Sequence, residues 1–474
     1  MTVKNLETLI REAGSAINLL RADKYDRPGL PVEYDPGLIV PQIPQEFSRW
    51  ERESMAWHET VALFDQSHHM EGAFVEGPDA HKLLGYLSCN SLFKSTPNRA
   101  SQIMCVNEDG MLVGDGIVFH LEENKFSVYG APMIPTWILY NAEISGLNVT
   151  ARRDQRSPVF ANGHGNTRPN CRYQLQGPLA IKLIEKLNGG PIGDVKFFGM
   201  TEITIAGERC GALRHGMAGA MGLELWGPWE RRDAIREAII RAGEEFGLRL
   251  VGGMAYLVPA IESGWFQATV PAIFGDDMKA FREWVPETDH NALMRLAGTK
   301  VYDTVEGYYR TPFDLGLGNF VNLDHDCIGR DGLAKHDRSA ATKKVTLAWN
   351  PDDAAALFRE MLTPGGKDVR FLHLPSNCDM IGLHYDELSR EGHDAGISAY
   401  TAYSTDERTM LSMALVNPDI ELGDEVVISW GEAGGGYGNH RVPATDRFPI
   451  RAIVSPAPYA VTARTDYRKL KMMA

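Results

Sequence analysis

The segment LFDQSHHM, residues 63–70, places two adjacent histidines behind an aspartate and a glutamine. His68 and His69 are compatible with a metal site, an acid–base pair, or a turn whose chemistry comes from other residues. A zinc or iron site needs further ligands at suitable spacing. His58 is nearby, but H-x9-H-H is no recognised ligand spacing and no H-E-x-x-H occurs. Side chains alternate along an extended segment, so we predict that one histidine packs, the other lines a cleft, and no metal binds.

Composition excludes several classes of protein. The chain has 474 residues, more than one hydrophobic core usually serves, which predicts two or three domains. A formal net charge of −14 argues against binding to nucleic acid. The six cysteines are scattered without a C-x-x-C pair, and neither a transmembrane run nor a leader peptide is recognisable. We therefore expect a soluble, cytoplasmic protein with a small-molecule substrate and no membrane partner.

Hydrophobic periodicity separates a mixed α/β region from a later β-rich region. Apolar residues at three- and four-residue spacing predict helices at residues 5–21, 178–187 and 229–246. Alternation around glycines in residues 110–120, continued by residues 125–129, predicts a hairpin. After Lys343, short runs separated by turns predict strands at residues 345–349, 397–403, 411–416 and 425–430.

These patterns predict an α+β protein with three parts. Residues 1–45 form an N-terminal helix and an extended arm rich in proline and glycine, which cannot be helical. Residues 46–335 form the mixed body, and residues 345–460 form a small β-barrel or sandwich. No G-x-G-x-x-G opens a helix after a strand, and no G-x-x-x-x-G-K-[ST] occurs. The dinucleotide and nucleotide-triphosphate classes therefore lose their main support.

Several motifs, in order along the chain, resemble the aminomethyltransferase (T-protein) family of folate enzymes. LFDQSHHM is similar to the family's F-D-x-S-H-M segment, residues 176–178 to its Q-G-P turn, and residues 219–225 (GAMGLEL) to its G-x-x-G-[FY]-E-[IL] stretch. Residues 247–264 and 328–330 are similar to later family segments. The resemblance implies a three-domain cloverleaf, with two interleaved α/β domains around a central folate channel and a C-terminal β-barrel.

A branch of that family is more similar still. The doubled histidine, RHGMAGA at residues 214–220, ESGW at 262–265 and LAWN at 347–350 resemble the tetrahydrofolate-dependent aryl O-demethylases of vanillate, syringate and 3-O-methylgallate. Gly114 stands where T-proteins carry an aspartate that serves aminomethyl chemistry, which disfavours a glycine-cleavage role. The resemblance implies a methyltransferase that moves the methyl group of a lignin-derived methoxyphenol to N5 of tetrahydrofolate, giving 5-methyltetrahydrofolate and a free phenol.

The resemblance also assigns roles to single residues. Tyr256 stands at the place of a catalytic tyrosine that gives its proton to the leaving oxygen, and a tyrosine pKa near 10 matches that of the leaving phenoxide. His69 is expected to bind the phenolic oxygen of the aromatic substrate, with His68 mainly structural. The residues expected to bind tetrahydrofolate are Glu224, Gln66, Trp265 and Tyr129.

Three positions of the expected substrate pocket depart from the vanillate-type relatives. Ala131 replaces an arginine that anchors the substrate carboxylate, while Leu38 and Val40 replace two tyrosines of the arm. An unpaired carboxylate is costly in an apolar pocket. We therefore expect a neutral methoxyarene, or one whose acid group lies far from the methoxy group.

Two other classes of function stay open. One is an aminomethyltransferase or another folate-dependent one-carbon transferase, acting for example on a choline- or sulfonium-derived substrate. The other is a non-catalytic folate-binding module, like those that aid iron–sulfur maturation. The K-G-C-[FY]-x-G-Q-E motif of that last group is absent, and Cys327 has different neighbours.

Overall fold

The structure, a computed structural model, describes residues 4–21, 42–92, 95–131, 133–157, 168–266, 269–289, 292, 294–376, 382–433 and 445–467. Leu38, Val40 and most of the expected arm lie outside the described residues. None of the helices in these ranges is both long enough and apolar enough to span a bilayer.

Helices and short strands interleave through the first two thirds of the chain. The helices of the described ranges are α1 (Leu6–Ala13), α2 (Ala16–Arg21), α3 (Trp50–Glu59), α4 (Ala80–Leu87), α5 (Met133–Ile144), α6 (Ala180–Asn188), α7 (Arg232–Gly243), α8 (Val258–Glu262), α9 (Lys279–Trp284), α10 (Arg330–Lys335), α11 (Pro351–Met361) and α12 (Val461–Thr465). The strands are β1 (Ala62–Asp65), β2 (Gly72–Glu76), β3 (Arg99–Val106), β4 (Leu112–Glu122), β5 (Lys125–Gly130), β6 (Thr150–Asp154), β7 (Asn170–Gln176), β8 (Met200–Ile205), β9 (Glu208–Leu213), β10 (Gly222–Pro228), β11 (Arg249–Leu250), β12 (Arg295–Ala297), β13 (Lys343–Trp349), β14 (Gly382–His384), β15 (Asp386–Arg390), β16 (His393–Ser404), β17 (Thr409–Val416), β18 (Glu425–Trp430) and β19 (Phe448–Ser455).

The body contains two sheets, and the chain passes from one to the other and back. The six-stranded sheet has the order β11-β1-β7-β10-β9-β8, and the five-stranded sheet has the order β3-β4-β5-β2-β6. The chain leaves the first sheet after β1, builds the whole second sheet, and returns with β7. Residues 66–71 are therefore the crossover between the sheets. The turn that carries both histidines lies at a junction of two layers, a frequent place for a ligand site.

The two faces of the six-stranded sheet differ in chemistry, because successive side chains of a strand point to opposite faces. One face packs against α6 and α7 through the apolar side chains of β7, which are Cys171, Tyr173 and Leu175. The other face carries buried polar side chains, which are Arg172, Gln174, Gln176 and Glu224. This polar face is turned toward the five-stranded sheet, since the Arg172 guanidinium lies over the rings of Phe119 and Tyr129.

The third part is a closed barrel with the strand order β13-β17-β16-β15-β18-β19. Its interior is filled by apolar side chains that include Trp349 and Trp430, whose ring centroids lie 5.2 Å apart. Helix α11 begins where the Asn350 side chain accepts hydrogen bonds from the backbone N–H groups of Asp352 and Asp353, at 2.9 and 3.1 Å. The predicted α+β fold with a C-terminal β-barrel is confirmed, and closure rules out the sandwich alternative.

Most of the predicted elements are present, with two corrections. The helix predicted at residues 5–21 is wrong as one helix, because Gly14 has a φ of 84° and ends α1 before α2 begins. The pattern at residues 110–120 belongs to the single strand β4, and the hairpin is made by β4 with β5. The predicted helix at 229–246 is confirmed as α7 flanked by two 3-10 turns, and Gly247 ends it.

Candidate active site

Arg168 holds the crossover turn in place. Its guanidinium donates to the carbonyl oxygens of Ser67 and Met70 at 2.7 and 2.5 Å, and its Nε donates to Asp154 Oδ1 at 2.9 Å. The Ser67 hydroxyl also donates to the carbonyl oxygen of Arg172 at 3.1 Å. Both charged side chains, Arg168 and Asp154, are buried. These hydrogen bonds connect the turn to β6 of the five-stranded sheet and to β7 of the six-stranded sheet.

The two histidines of the turn face different surroundings. His68 Nδ1 lies 3.0 Å from Ser157 Oγ, and its ring packs edge-on against Trp229. His69 Nε2 lies 3.0 Å from the Tyr256 hydroxyl oxygen, with the ring centroids 4.9 Å apart. Residues 67–69 form a turn and not the extended segment assumed from the sequence. The two rings nevertheless contact different parts of the protein.

Burial sets the protonation of the His69–Tyr256 pair. It lowers the pKa of His69 to about 3, and the nearby positive charges of Arg156 and Arg168 add to this effect. Burial also raises the pKa of Tyr256 well above its usual value, and the negative charge of Asp65 acts in the same direction. At neutral pH the imidazole is therefore uncharged and the phenol keeps its proton. The expected match between the pKa of Tyr256 and that of the leaving phenoxide is not found, because burial raises the pKa of Tyr256.

The crossover turn has polar atoms that point to a ligand. Within the described part of the chain, three of its buried polar atoms have no hydrogen-bond partner, and these are Gln66 Oε1, His69 Nδ1 and Glu71 Oε2. Buried polar atoms in folded proteins almost always have partners, so such a group usually meets a bound molecule or an ordered water. The other oxygen of Glu71 accepts a hydrogen bond from Arg153 at 2.8 Å, which fixes the carboxyl group.

Glu224 lies on the polar face of the six-stranded sheet and is paired with Arg172. The Arg172 Nε and Nη2 atoms both donate to Glu224 Oε1, the first at 3.1 Å. Glu224 Oε2, 3.9 Å from His215 Nδ1, remains available to a ligand. Burial acts to lower the pKa of Arg172, but Glu224, Tyr129 and Asp154 together outweigh it, and the pKa lies above its usual value. Arg172 therefore keeps its positive charge.

Tyr129 and Gln174 connect the two halves of this network. The Arg172 guanidinium lies 3.9 Å from the centroid of the Tyr129 ring, and the Tyr129 hydroxyl donates to Asp154 Oδ2 at 2.9 Å. Gln66 Nε2 donates to Gln174 Oε1 at 3.3 Å. Gln174 and Glu224 are directly opposite each other in the β7–β10 ladder. Gln66 also forms a side-chain hydrogen bond with Tyr256, so Tyr256, His69, Gln66, Glu224 and Tyr129 belong to one continuous group of contacts.

Two other expected residues have weaker links to this group. Ala131 is exposed, two residues beyond Tyr129, and its N–H donates to the Asp115 carbonyl oxygen at 3.3 Å. The Trp265 side chain is 44% exposed, and its backbone N–H donates to the Ala260 carbonyl oxygen. In the residues that the structure describes, no group of three or more His, Cys, Asp or Glu side chains could hold a metal ion.

Comparisons with known proteins show which family the chain belongs to. The profile of the GCVT N-terminal domain family matches residues 17–270, more than half of the chain. A syringate O-demethylase from Sphingobium sp. (strain NBRC 103272 / SYK-6) is 37% identical over 467 residues, which cover 98% of each chain. The chain belongs to the T-protein family.

Three further proteins are similar to this chain. A sesamin methylene transferase from Sinomonas sp. (strain No.22) is 28% identical over 88% of this chain and 90% of its own length. An aminomethyltransferase from Clostridium botulinum (strain Okra / Type B1) is 25% identical over 64% of this chain and 71% of its own. The crystal structure of the glycine cleavage system aminomethyltransferase T from Bartonella henselae superposes with a TM-score of 0.59, covering 88% of this chain and 91% of that chain at 16% identity, which shows the shared fold.

The resemblance to the T-protein family does not indicate Arg172 or Glu71 as residues of the site. The signal for Arg172 was present in NCRYQLQ, residues 170–176, where polar and apolar residues alternate in a strand that is buried from Cys171 onward. A strand with buried polar residues on one face needs polar partners on that side. Glu71 lies two residues after His69, but its burial and its contact with Arg153 depend on a fold that the segment alone does not reveal.

Proposed function

We propose that this chain is a tetrahydrofolate-dependent aryl O-demethylase, which moves the methyl group of a methoxylated aromatic compound to N5 of tetrahydrofolate and releases a phenol. The observation that carries the proposal is the buried contact of 3.0 Å between Tyr256 and an uncharged His69, beside buried polar atoms that have no partner in the described chain. The syringate O-demethylase that is 37% identical over 98% of this chain supports the same activity.

The polar face of the six-stranded sheet fits a pterin. A pterin presents amino and ring N–H donors on one edge, and Glu224 Oε2 and Gln66 Oε1 are acceptors that no described side chain uses as a hydrogen-bond partner. The Tyr129 ring supplies an aromatic surface beside them. When bound there, tetrahydrofolate supplies the N5 lone pair that accepts the methyl group. Trp265 would act as a further wall of the folate site.

Tyr256 is the proposed proton donor. His69 is uncharged, so its single ring proton can lie on Nε2 and be donated to the Tyr256 oxygen at 3.0 Å. The Tyr256 O–H is then free to donate to the ether oxygen, which takes the proton as its bond to the methyl carbon breaks. His69 Nδ1, which has no partner among the described residues, would accept a hydrogen bond from the free hydroxyl of the aromatic substrate.

The decisive test uses tetrahydrofolate and a panel of methoxyphenols under anaerobic conditions. We expect 5-methyltetrahydrofolate and the demethylated phenol in equal amounts. Folate binding without turnover of any substrate would favour the non-catalytic module. Turnover with an aminomethyl donor alone would favour an aminomethyltransferase. Either result contradicts the proposal.

An aryl methylenedioxy compound is the second candidate substrate, because the sesamin methylene transferase covers 88% of this chain at 28% identity. Transfer of a methylene group would give 5,10-methylenetetrahydrofolate and a catechol in place of 5-methyltetrahydrofolate. The same assay, with the folate products separated by chromatography, distinguishes the two activities.

A carboxylate-free substrate is the proposed preference of the pocket. Ala131 offers no positive charge. Its N–H donates to the carbonyl oxygen of Asp115, so the nearest acidic residue on β4 brings a carboxyl group and no cation. We expect Ala131→Arg to raise kcat/KM for syringate relative to guaiacol by about tenfold, or about 1.4 kcal/mol. Ala131→Gln, similar in length but uncharged, is the control. The measurement is kcat/KM for both compounds in the three proteins.

The kcat/KM values of the wild type can also contradict the proposed preference. A wild-type preference for syringate of about tenfold or more would show that another cation binds the carboxylate. Arg156 would then be the candidate, because its positive charge acts on both His69 and Glu71.

Glu224→Gln is expected to weaken tetrahydrofolate binding by roughly tenfold, because hydrogen bonds to a charged group contribute about 1.5–3 kcal/mol. Isothermal titration of the folded protein measures the dissociation constant. Glu202→Gln, at an exposed ion pair with Arg209 on the protein surface, is the matched control. An unchanged dissociation constant in Glu224→Gln would remove Glu224 from the proposed folate site.

A cytoplasmic location is also a proposal. The five cysteines in the described ranges are free thiols, and all five are buried. Free thiols are usual in reducing compartments.

A further inference from the structure

Glu262 is a buried residue that joins two helices of the body to a strand of the barrel. It is 1% exposed and lies at the end of α8. Its Oε2 accepts hydrogen bonds from Trp57 Nε1 and interacts with His58 Nε2, each at 3.0 Å, and its Oε1 accepts from Ser404 Oγ at 2.6 Å. The partners belong to α3 of the body and to β16 of the barrel. Several hydrogen-bond donors around a buried carboxyl group fix its position.

Two routes connect Glu262 to Tyr256. The first is the main chain, because α8 begins at Val258, two residues after Tyr256, and ends at Glu262. The second is a row of rings. Trp57, which donates to Glu262, lies 5.7 Å from Phe64, and Phe64 lies 5.7 Å from the Tyr256 ring in an edge-to-face contact. Glu262 therefore fixes both the helix that follows Tyr256 and the rings behind it.

His58 lies between Glu262 and the barrel. Its Nδ1 atom is 3.6 Å from Asp406 Oδ2 in the turn between β16 and β17, and Glu407 is the next residue. The charged groups that face it are Glu262 on α8 and Asp406 and Glu407 on that turn, with Arg464 of α12 acting on Glu407. The surroundings are mainly negative, which favours a positively charged imidazole at this place.

We propose that His58 is a positioning residue, whose positively charged ring links Glu262 to Asp406 and thereby holds α8 and the Tyr256 ring in the orientation for proton donation. This inference rests on the proposed function, because it gives Tyr256 a catalytic role. It makes the barrel part of the catalytic arrangement, since Ser404 and Asp406 belong to β16 and to the turn after it.

The pH dependence follows from the sign of the shift. Burial acts to lower the pKa of His58, but Glu262, Asp406 and Glu407 outweigh it and the net pKa is raised. The charged link is therefore fully present below the pKa of His58 in the unfolded chain, and it is lost as pH rises through the folded value. Uncharged His58 can still donate from Nε2 to Glu262, but it loses the attraction to Asp406. A partial fall in kcat is expected on the alkaline side.

His58→Gln tests the link, because glutamine keeps a donor for Glu262 but cannot become charged. We expect kcat to fall roughly three- to tenfold below the pKa of His58, with KM and the folate dissociation constant within about twofold. The alkaline fall in kcat that His58 causes in the wild type should disappear. His336→Gln, at a surface histidine that contacts the Asp109 carbonyl oxygen, is the control. A pH profile of kcat in His58→Gln equal to that of the wild type overturns the proposal.

Asp406→Asn provides a variant at a half-exposed turn residue, 42% exposed, that does not threaten folding. We expect it to move the alkaline fall in kcat to lower pH, and an unmoved fall overturns the proposal. Nuclear magnetic resonance of the His69 ring gives a readout without turnover. Its signals should shift as His58 titrates in the wild type but not in His58→Gln. If the wild type transfers no methyl group, the proposed function fails. If the His69 ring signals of the wild type do not shift as His58 titrates, this inference fails.

Discussion

Replacing Tyr256 with phenylalanine is expected to reduce kcat roughly 10²- to 10⁴-fold, the loss typical of a missing general acid. The leaving group is a phenoxide, and the Tyr256 hydroxyl is the buried donor held by His69 at 3.0 Å. The dissociation constant of tetrahydrofolate should change little, because Glu224 and Gln66 carry the proposed pterin contacts. Single-turnover kinetics separate the chemical step from binding.

Tyr173→Phe is the matched control for this variant. Tyr173 is equally buried, but it lies on the apolar face of β7, where its hydroxyl donates to the Arg232 carbonyl oxygen at 2.9 Å. We expect Tyr173→Phe to lower stability but not the rate of methyl transfer. If Tyr256→Phe keeps a kcat close to that of the wild type, then Tyr256 is not the proton donor.

The sequence predicted the parts of the fold that depend on local pattern. Helix α7 was recognisable from its apolar stripe and from Gly247, which stops it with a φ of 69°. The barrel strands were recognisable from short alternating runs, and the residues at 425–430 coincide with β18. These signals lie within one segment, so no knowledge of its neighbours was needed.

The sequence did not reveal contacts that depend on register and topology. Arg172 meets Glu224 only because β7 and β10 pair with Gln174 opposite Glu224. His58 meets Glu262 only because the fold brings the end of α8 to α3, although the two residues are 204 positions apart. The structure brings Tyr256, His69 and Gln66 together in one network, and their roles stay predictions. A single sequence holds no direct sign of which distant strands become neighbours.

Arg172→Met is expected to lower the free energy of unfolding by about 3–5 kcal/mol, the usual cost of leaving a buried charge without its partner. Glu224 would keep a carboxylate in the interior without the two hydrogen bonds that Arg172 supplies. The Tyr129 ring would also lose the cation that lies 3.9 Å from its centroid. Urea unfolding followed by intrinsic fluorescence gives the change. Arg209→Met, which removes the exposed partner of Glu202, should leave the midpoint almost unchanged.

The double variant Arg172→Met/Glu224→Met separates stability from binding. Two apolar side chains of similar volume can replace a buried ion pair without loss of stability, so the double variant should unfold at a higher urea concentration than Arg172→Met alone. It should nevertheless bind tetrahydrofolate no better than Glu224→Gln, because the acceptor for the pterin is gone. If the double variant binds folate like the wild type, Glu224 and Arg172 stabilise the sheet and take no part in the ligand site. If the double variant is stable but does not bind tetrahydrofolate, the buried pair serves ligand binding and is not needed for stability.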